Sequence, residues 1–235
     1  MKTKLIILSS NDIFFNQPLI NKIYSDNRIE LKTVYYLKEK NNYIKKLKIF
    51  FLLSTKDLIK LFLIYIKSLF KKRNLFKGQY FNNVNSSKLI NSINKNNPDL
   101  VVCINCPQIL KDKTIREVNA SIYNFHPGDI PTFRGVFIPF YLLKNKSNNA
   151  CMTFHKIDKY IDKGKIFNKN YINLSKNETI YTIYEKIFLS EQSTNFVITS
   201  IINHSNINLK EDSSIDNYYS YPSLLDILKF RFGII

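Results

Sequence analysis

Strand-length apolar runs alternate with amphipathic stretches along most of the chain. The runs at Lys4–Ser9, Ile29–Tyr36, Asp99–Ile104, Ser121–His126, Ala150–Ile157 and Gly164–Ile172 read as β-strands. Between them, apolar positions recur at helical spacing over Pro18–Ser25, Tyr43–Leu53, Leu58–Lys71, Ser87–Lys95, Val136–Leu143 and Asn177–Asn203. The last stretch predicts one long helix, opened by Ser175-Lys-Asn-Glu178 as a capping box. Its residues Ile180, Ile183, Ile187, Phe196 and Ile201 would make the core-facing stripe. Strands alternating with helices predict an α/β fold built on a doubly wound, mainly parallel sheet. Residues 1–205 are expected to form that domain. Residues 206–235 are expected to form a short C-terminal extension for dimerisation or substrate contact.

The segment Leu47–Phe70 is the most apolar of the helical stretches, but Lys48, Lys56, Asp57, Lys60 and Lys67 interrupt it. That excludes a bilayer span of about 20 apolar residues. It reads as one or two amphipathic helices, broken near Ser54–Thr55 and packed on the sheet with Lys outward. A basic amphipathic helix lying on a membrane surface is the competing reading. The run Leu5-Ile-Ile-Leu8 is too short for a secretion signal, so a cytoplasmic protein is expected.

Composition changes this picture only slightly. The chain has 235 residues, of which 45% are hydrophobic, enough for one domain with a sizeable core. Lys and Arg number 35 against 18 acidic residues, a net charge of +17. Together with the wealth of Lys, Asn and Ile, this reads first as codon bias. Steering of anionic substrates comes second and a nucleic-acid surface last. Three cysteines exclude a disulfide framework, and Cys103-Ile-Asn-Cys106 lacks the second pair that a zinc site needs, so no metal is expected.

The chemistry concentrates in Asn124-Phe-His126-Pro-Gly-Asp-Ile-Pro-Thr-Phe-Arg-Gly135 and in Asp162-Lys-Gly164. Alternate residues of a strand share a face, so Asn124 and His126 project together at a strand end. Open α/β sheets place their ligands at such ends. Pro127, Gly128, Pro131 and Gly135 make the following segment a shaped loop, expected to close over a substrate. An amide, an imidazole and a carboxylate suffice to polarise a carbonyl and move one proton. A lone Asn-x-His is usually unremarkable; the spacing to Asp162 and the Pro/Gly loop are what raise its weight.

That pattern resembles the folate-dependent formyltransferases. Asn124, His126, Pro127, Pro131, Gly135, Asp162 and Gly164 stand in register with the family's motif, and Pro98–Leu110 resembles its strand and folate loop. The resemblance covers about residues 98–167. It implies a Rossmann-like core and N10-formyltetrahydrofolate as formyl donor, with Asn124, His126 and Asp162 as catalytic residues. It also implies a folate site built from Asn105, Cys106, Pro107, Gln108, Ile109, Leu110, Asp158 and Ile161. The segment after the first strand, Ser9–Phe15, has no glycine, which argues against the purine-pathway member with its Gly-rich phosphate loop. Too few residues follow Asp162 for the tRNA-binding barrel of another member. The tail Asn217–Arg231 is similar to a segment of the sugar N-formyltransferases, and its structural reading is a short terminal helix with Pro222 near the first turn.

The expected activity is therefore formyl transfer to a nucleotide-linked amino-dideoxy sugar, dTDP-linked and aminated at C4 or C3, in bacterial surface-polysaccharide (O-antigen) synthesis. Pro127, Gly128, Arg134, Tyr218 and Tyr221 are the candidate substrate contacts, with no nucleic-acid partner and a homodimer as the expected assembly. Two alternatives stay open: a formyltransferase acting on glycinamide ribonucleotide or aminoacyl-tRNA, and a non-catalytic basic protein of nucleic acid or membrane surfaces.

Overall fold

The computed structural model describes residues 2–39, 43–70, 76–205 and 217–234. Residues 206–216, the first part of the expected extension, and Lys71, the end of one expected helix, lie outside the described residues. The first half comprises β1 (Thr3–Ser9), α1 (Asn16–Tyr24), β2 (Ile29–Leu37), α2 (Tyr43–Leu52), α3 (Thr55–Phe70), β3 (Gln79–Phe81), α4 (Ser87–Lys95) and β4 (Leu100–Ile104). Then come α5 (Asp112–Glu117), β5 (Ser121–His126), β6 (Arg134–Gly135), α6 (Ile138–Lys144), β7 (Asn149–Lys156) and β8 (Ile166–Asn173). The chain closes with α7 (Ile180–Leu189), α8 (Glu191–Ile202), β9 (Tyr218–Tyr219) and α9 (Leu224–Arg231).

Seven strands form one sheet in the order β3-β2-β1-β4-β5-β7-β8. The first five are parallel, and β7 and β8 join antiparallel at one side. The expected doubly wound sheet is found, and period-two alternation builds it. Leu5 and Ile7 of β1, with Leu100, Val102 and Ile104 of β4, enter one core with α1, α6, α7 and α8. Ile6, Leu8, Val101, Cys103 and Ile122 enter the opposite core, under α4 and α5. Both faces of the central strands are therefore dry, as a parallel sheet requires.

The long late helix of the sequence reading is two helices. Ser190 adopts extended backbone (φ −59°, ψ 153°) and its side chain accepts from the Ser193 N–H, capping α8. A serine that can satisfy a helix N-terminus competes with continuing the helix through it. The start also differs. Ser175 does donate to Glu178, but that closes a turn ahead of the helix. The actual capping box is Thr179 with Thr182. Burial works to raise the Glu178 carboxyl, but hydrogen bonds from Lys186, Thr182 and Ser175 outweigh it and bring it to about 2. The break at Ser54 is as expected: Asp57 N–H donates to Ser54 Oγ, and Ser54 N–H donates to the Asp57 carboxylate.

The tail folds back onto the domain. β9 pairs with β6, so Tyr218 and Tyr219 lie beside Arg134 and Gly135. Tyr219 stacks on Phe133 with centroids 5.4 Å apart. Ile227 of α9 is fully buried, and Arg231 Nη1 donates to the Leu53 carbonyl. Gly135 makes the strand contact possible: its φ is +103°, and a Cβ there would sit 2.1 Å from the Tyr219 carbonyl oxygen. Gly135→Ala is expected to cost about 2–4 kcal/mol, because it adds backbone strain to a clash with main chain. Gly233→Ala, with positive φ but open space around it, should cost only about 1 kcal/mol. Urea unfolding of both variants measures the difference, and equal costs would mean that the tail does not hold Gly135.

Candidate active site

Three adjacent strands place the site. Their register sets Cys103 of β4 beside Asn124 of β5, and Asn124 beside His155 of β7. Tyr123 and Phe125 turn into the larger core, which leaves Asn124 and His126 together on the other face. Pro127 ends the strand, and the loop that follows curls back over His126. Gly128 O accepts from Thr153 Oγ1 at 2.6 Å, and His126 Nε2 lies 2.7 Å from the Phe133 carbonyl. A carbonyl only accepts, so Nε2 carries the proton and Nδ1 turns toward Asp162, 3.7 Å from its Oδ2.

Asp162 is reached by a sharp reversal after β7. Its φ of +52° lies in the left-handed region, which Asp tolerates better than most residues. Two residues on, Gly164 passes so close to β7 that a Cβ would lie 1.6 Å from the Lys156 carbonyl oxygen. Only glycine allows that approach, which gives the Asp-x-Gly spacing its physical reason. The Asp162 carboxylate accepts from the Gly135 N–H at 3.1 Å. Its other oxygen is 3.8 Å from His155 Nε2.

His155 is the residue that sequence reasoning missed. Its Nδ1 donates to the Lys156 carbonyl at 3.0 Å, so Nε2 is the bare nitrogen and accepts from Asn124 Nδ2 at 3.2 Å. Burial pulls this imidazole down to about 4; Asp162 opposes the shift, and the neighbouring His126 adds to it. The sequence carries only a trace of it: Thr153 and His155 alternate within a mostly apolar strand, and register decides what they face.

The other expected site residues divide. Arg134 is buried and donates to the Ile161 carbonyl at 2.9 Å, so it ties the loop after β5 to the loop that carries Asp162. Asp158 Oδ1 accepts from the Tyr160 N–H and shapes that second loop. Tyr218 lies under the Arg134 guanidinium at 5.7 Å, whereas Tyr221 packs against Phe137. Asn105 follows β4 with φ +46°, and its amide donates to Asn16 across the gap between the first and fourth strands' loops. Gln108 is occupied by the Val84 N–H and by the Lys38 and Asn82 carbonyls, which makes it a clamp on this loop. Leu110 is buried and Ile109 exposed, with Pro107 between these extremes. Cys103 and Cys106 are free thiols; the hydrogen bond between them, with burial, pushes Cys103 up, and the same bond draws Cys106 down. Cys106 Sγ also reaches the Gln108 carbonyl, so it contributes to the loop.

A family model described as Formyl transferase matches residues 49–199, more than half of the chain. The chain belongs to the formyl transferase family. Among curated members it is 26% identical over 143 residues to the bifunctional polymyxin resistance protein ArnA of Wigglesworthia glossinidia brevipalpis. That alignment covers 60% of this chain but only 21% of that relative's length. In structure it is similar to a sugar N-formyltransferase from Shewanella sp., with a TM-score of 0.65, 18% identity, and 96% and 87% of the two chains covered. An N-formyltransferase from Helicobacter canadensis, solved with folinic acid and dTDP-3-aminofucose, gives a TM-score of 0.59 at 20% identity, covering 93% of this chain and 71% of that one. In this member of the family, Asn124, His126, His155 and Asp162 form one connected cluster at the end of β5.

The neutral His155 imposes a pH dependence on stability. Below about pH 6.5 the unfolded chain protonates this ring, while the folded chain does not until about pH 4. Stability is therefore fully present above the first value and is lost as pH falls across that window. His155→Gln is expected to reduce the loss between pH 7 and pH 4.5 by about 2 kcal/mol, measured by urea unfolding at both pH values. An unchanged pH dependence would mean that the ring is charged in the folded protein.

Proposed function

We propose that this protein transfers the formyl group of N10-formyltetrahydrofolate to the amine of a nucleotide-linked amino-dideoxy sugar. The observation that carries the reading is the Asn124–His126–His155–Asp162 cluster in a chain of the formyl transferase family. The donor would supply an activated formyl carbon. Asn124 Nδ2 has two N–H bonds and spends one on His155, which leaves the other for a carbonyl oxygen at the strand end. Asp162 stands between His126 Nδ1 and His155 Nε2, where its carboxylate can stabilise a protonated ring and accept a proton from an attacking amine. Preorganised donors of this kind act most strongly where water is excluded.

The loop Asn105–Leu110 would hold the folate, together with Asp158–Ile161. What supports this is a backbone held stiff by Gln108, Asn105 and Cys106, with Ile109 and Ile161 exposed as apolar surface. For the acceptor, the support comes from the helix N-terminus after β1. The Asp12 carboxylate takes the N–H groups of Phe14, Phe15 and Asn16 at 2.7–3.1 Å. A protein carboxylate thus occupies the position where a ribonucleotide phosphate would otherwise bind a helix N-terminus. That favours a sugar nucleotide over glycinamide ribonucleotide. A dTDP-linked 3-amino or 4-amino sugar is the first candidate, with Tyr218 near the loop as a stacking surface and surface polysaccharide as the destination of the product.

The test is an assay of the purified protein with N10-formyltetrahydrofolate and a panel of amino-sugar nucleotides, glycinamide ribonucleotide and aminoacyl-tRNA, read as mass gain of one formyl group. Gain on a sugar nucleotide is expected. His126→Ala and Asp162→Asn should each lower the rate by about 10²–10³-fold in protein that circular dichroism shows to be folded. Near wild-type rates in the folded variants would remove both residues from the chemistry.

A further inference from the structure

We infer that the outer faces of α2, α3 and α9 form a docking surface for an anionic lipid bilayer. The three helices pack over one core. Leu52, Leu58 and Ile227 point into it, alongside Phe140, Ile180 and Tyr181. With that side buried, an ordinary surface helix would turn polar residues outward. These helices turn out a second apolar stripe instead. On α3, Ile59, Phe62 and Leu63 fall at i, i+3 and i+4, and Phe62 and Leu63 are 61% and 51% exposed. On α2, Ile44, Leu47 and Phe51 fall at i, i+3 and i+7 and are likewise exposed. On α9, Leu225 and Leu228 repeat the pattern, 63% and 42% exposed. The expectation that Leu47–Phe70 packs on the sheet with Lys outward is corrected: the inner faces of α2 and α3 rest on α6, α7 and α9, not on a strand. The outer face is apolar as well as basic.

Charge identifies the occupant. Along their sequences the three helices carry Lys45, Lys46, Lys48, Lys56, Lys60, Lys67, Lys229 and Arg231 against Asp57 and Asp226, a net +6. On α3, Lys56, Lys60 and Lys67 run along one edge of the exposed stripe, as 100° per residue requires. A second copy docking through the same surface would bring like charge against like charge. An anionic bilayer offers what the surface lacks: negative headgroups for the Lys rim and an acyl boundary for Phe and Leu. Among the described residues no helix is long and apolar enough to cross a membrane, so the helices would lie in the plane of the interface. Within the rim, the Lys60 ammonium pairs with Glu185 at 2.7 Å and lies over the Tyr181 ring.

The experiment is co-sedimentation of the whole chain with vesicles of phosphatidylcholine alone and of phosphatidylcholine mixed with phosphatidylglycerol. Binding is expected to the mixed vesicles, at least about tenfold weaker to the neutral ones, and to fall as salt is raised. Phe62→Ser/Leu63→Ser and Leu47→Ser/Phe51→Ser should each weaken it at least about tenfold, with thermal melting unchanged because these side chains are exposed. No binding to mixed vesicles, or binding indifferent to both double variants, would overturn the proposal. So would a wild-type dimer in sedimentation velocity that Phe62→Ser/Leu63→Ser converts to monomer, which would assign the surface to a second copy.

Discussion

The Asp162 carboxylate is the point on which the site's geometry turns. One oxygen accepts from Gly135 N–H and faces His126, and the other faces His155. Through Gly135 it reaches β6, and through β6 the tail strand β9. The end of β5, β6 and β7 therefore meet at one side chain. Its own position depends on a left-handed backbone and on Gly164 pressed against β7. A side chain larger than hydrogen at Gly164 would push the loop from the sheet and take the carboxylate with it. The site is thus built as a constraint on backbone approach, with the polar groups following from it.

The antiparallel turn of the sheet at β7 has a consequence for chemistry. It sets His155 opposite Asn124, so that an amide and a second imidazole hold each other. Burial keeps His155 neutral, and the Asp162 carboxylate stands between the two rings. The tail contributes from outside. Tyr219 stacks on Phe133, whose carbonyl fixes His126, and Tyr218 lies beneath Arg134, which grips the Asp162 loop. Residues 217–219 therefore brace the two loops that frame the cluster.

The same economy of anchors appears elsewhere on the molecule. Asp12 caps α1 and fills its positive end from within the chain. Asp57 joins the start of α3 to the start of α7 through Thr179. Such self-satisfied polar groups stabilise the fold and also subtract possible ligand positions. The cluster beside β5 and the apolar, basic face of α2, α3 and α9 are not filled in this way among the described residues.

Much of this was legible in the sequence, and the reasons are local. Period-two alternation determined which strand residues face which core, and turn residues determined where Asn124 and His126 stop and Asp162 begins. The Ser54 break and the buried stripe Ile180–Ile187 were likewise readable, because capping and helical spacing act within a few residues. The division of the last helix at Ser190 was not, since a serine reads equally as surface and as cap until its neighbours are placed. His155 stayed hidden for a stronger reason: a histidine in an apolar strand acquires meaning only from what lies across the sheet, and register is a long-range property. The tail's grip on Gly135 and the outward apolar stripes belong to the same class. Chain order determined the residues and their spacing; tertiary structure alone decided which of them meet, because strand pairing and loop reversal bring together groups that no local rule connects.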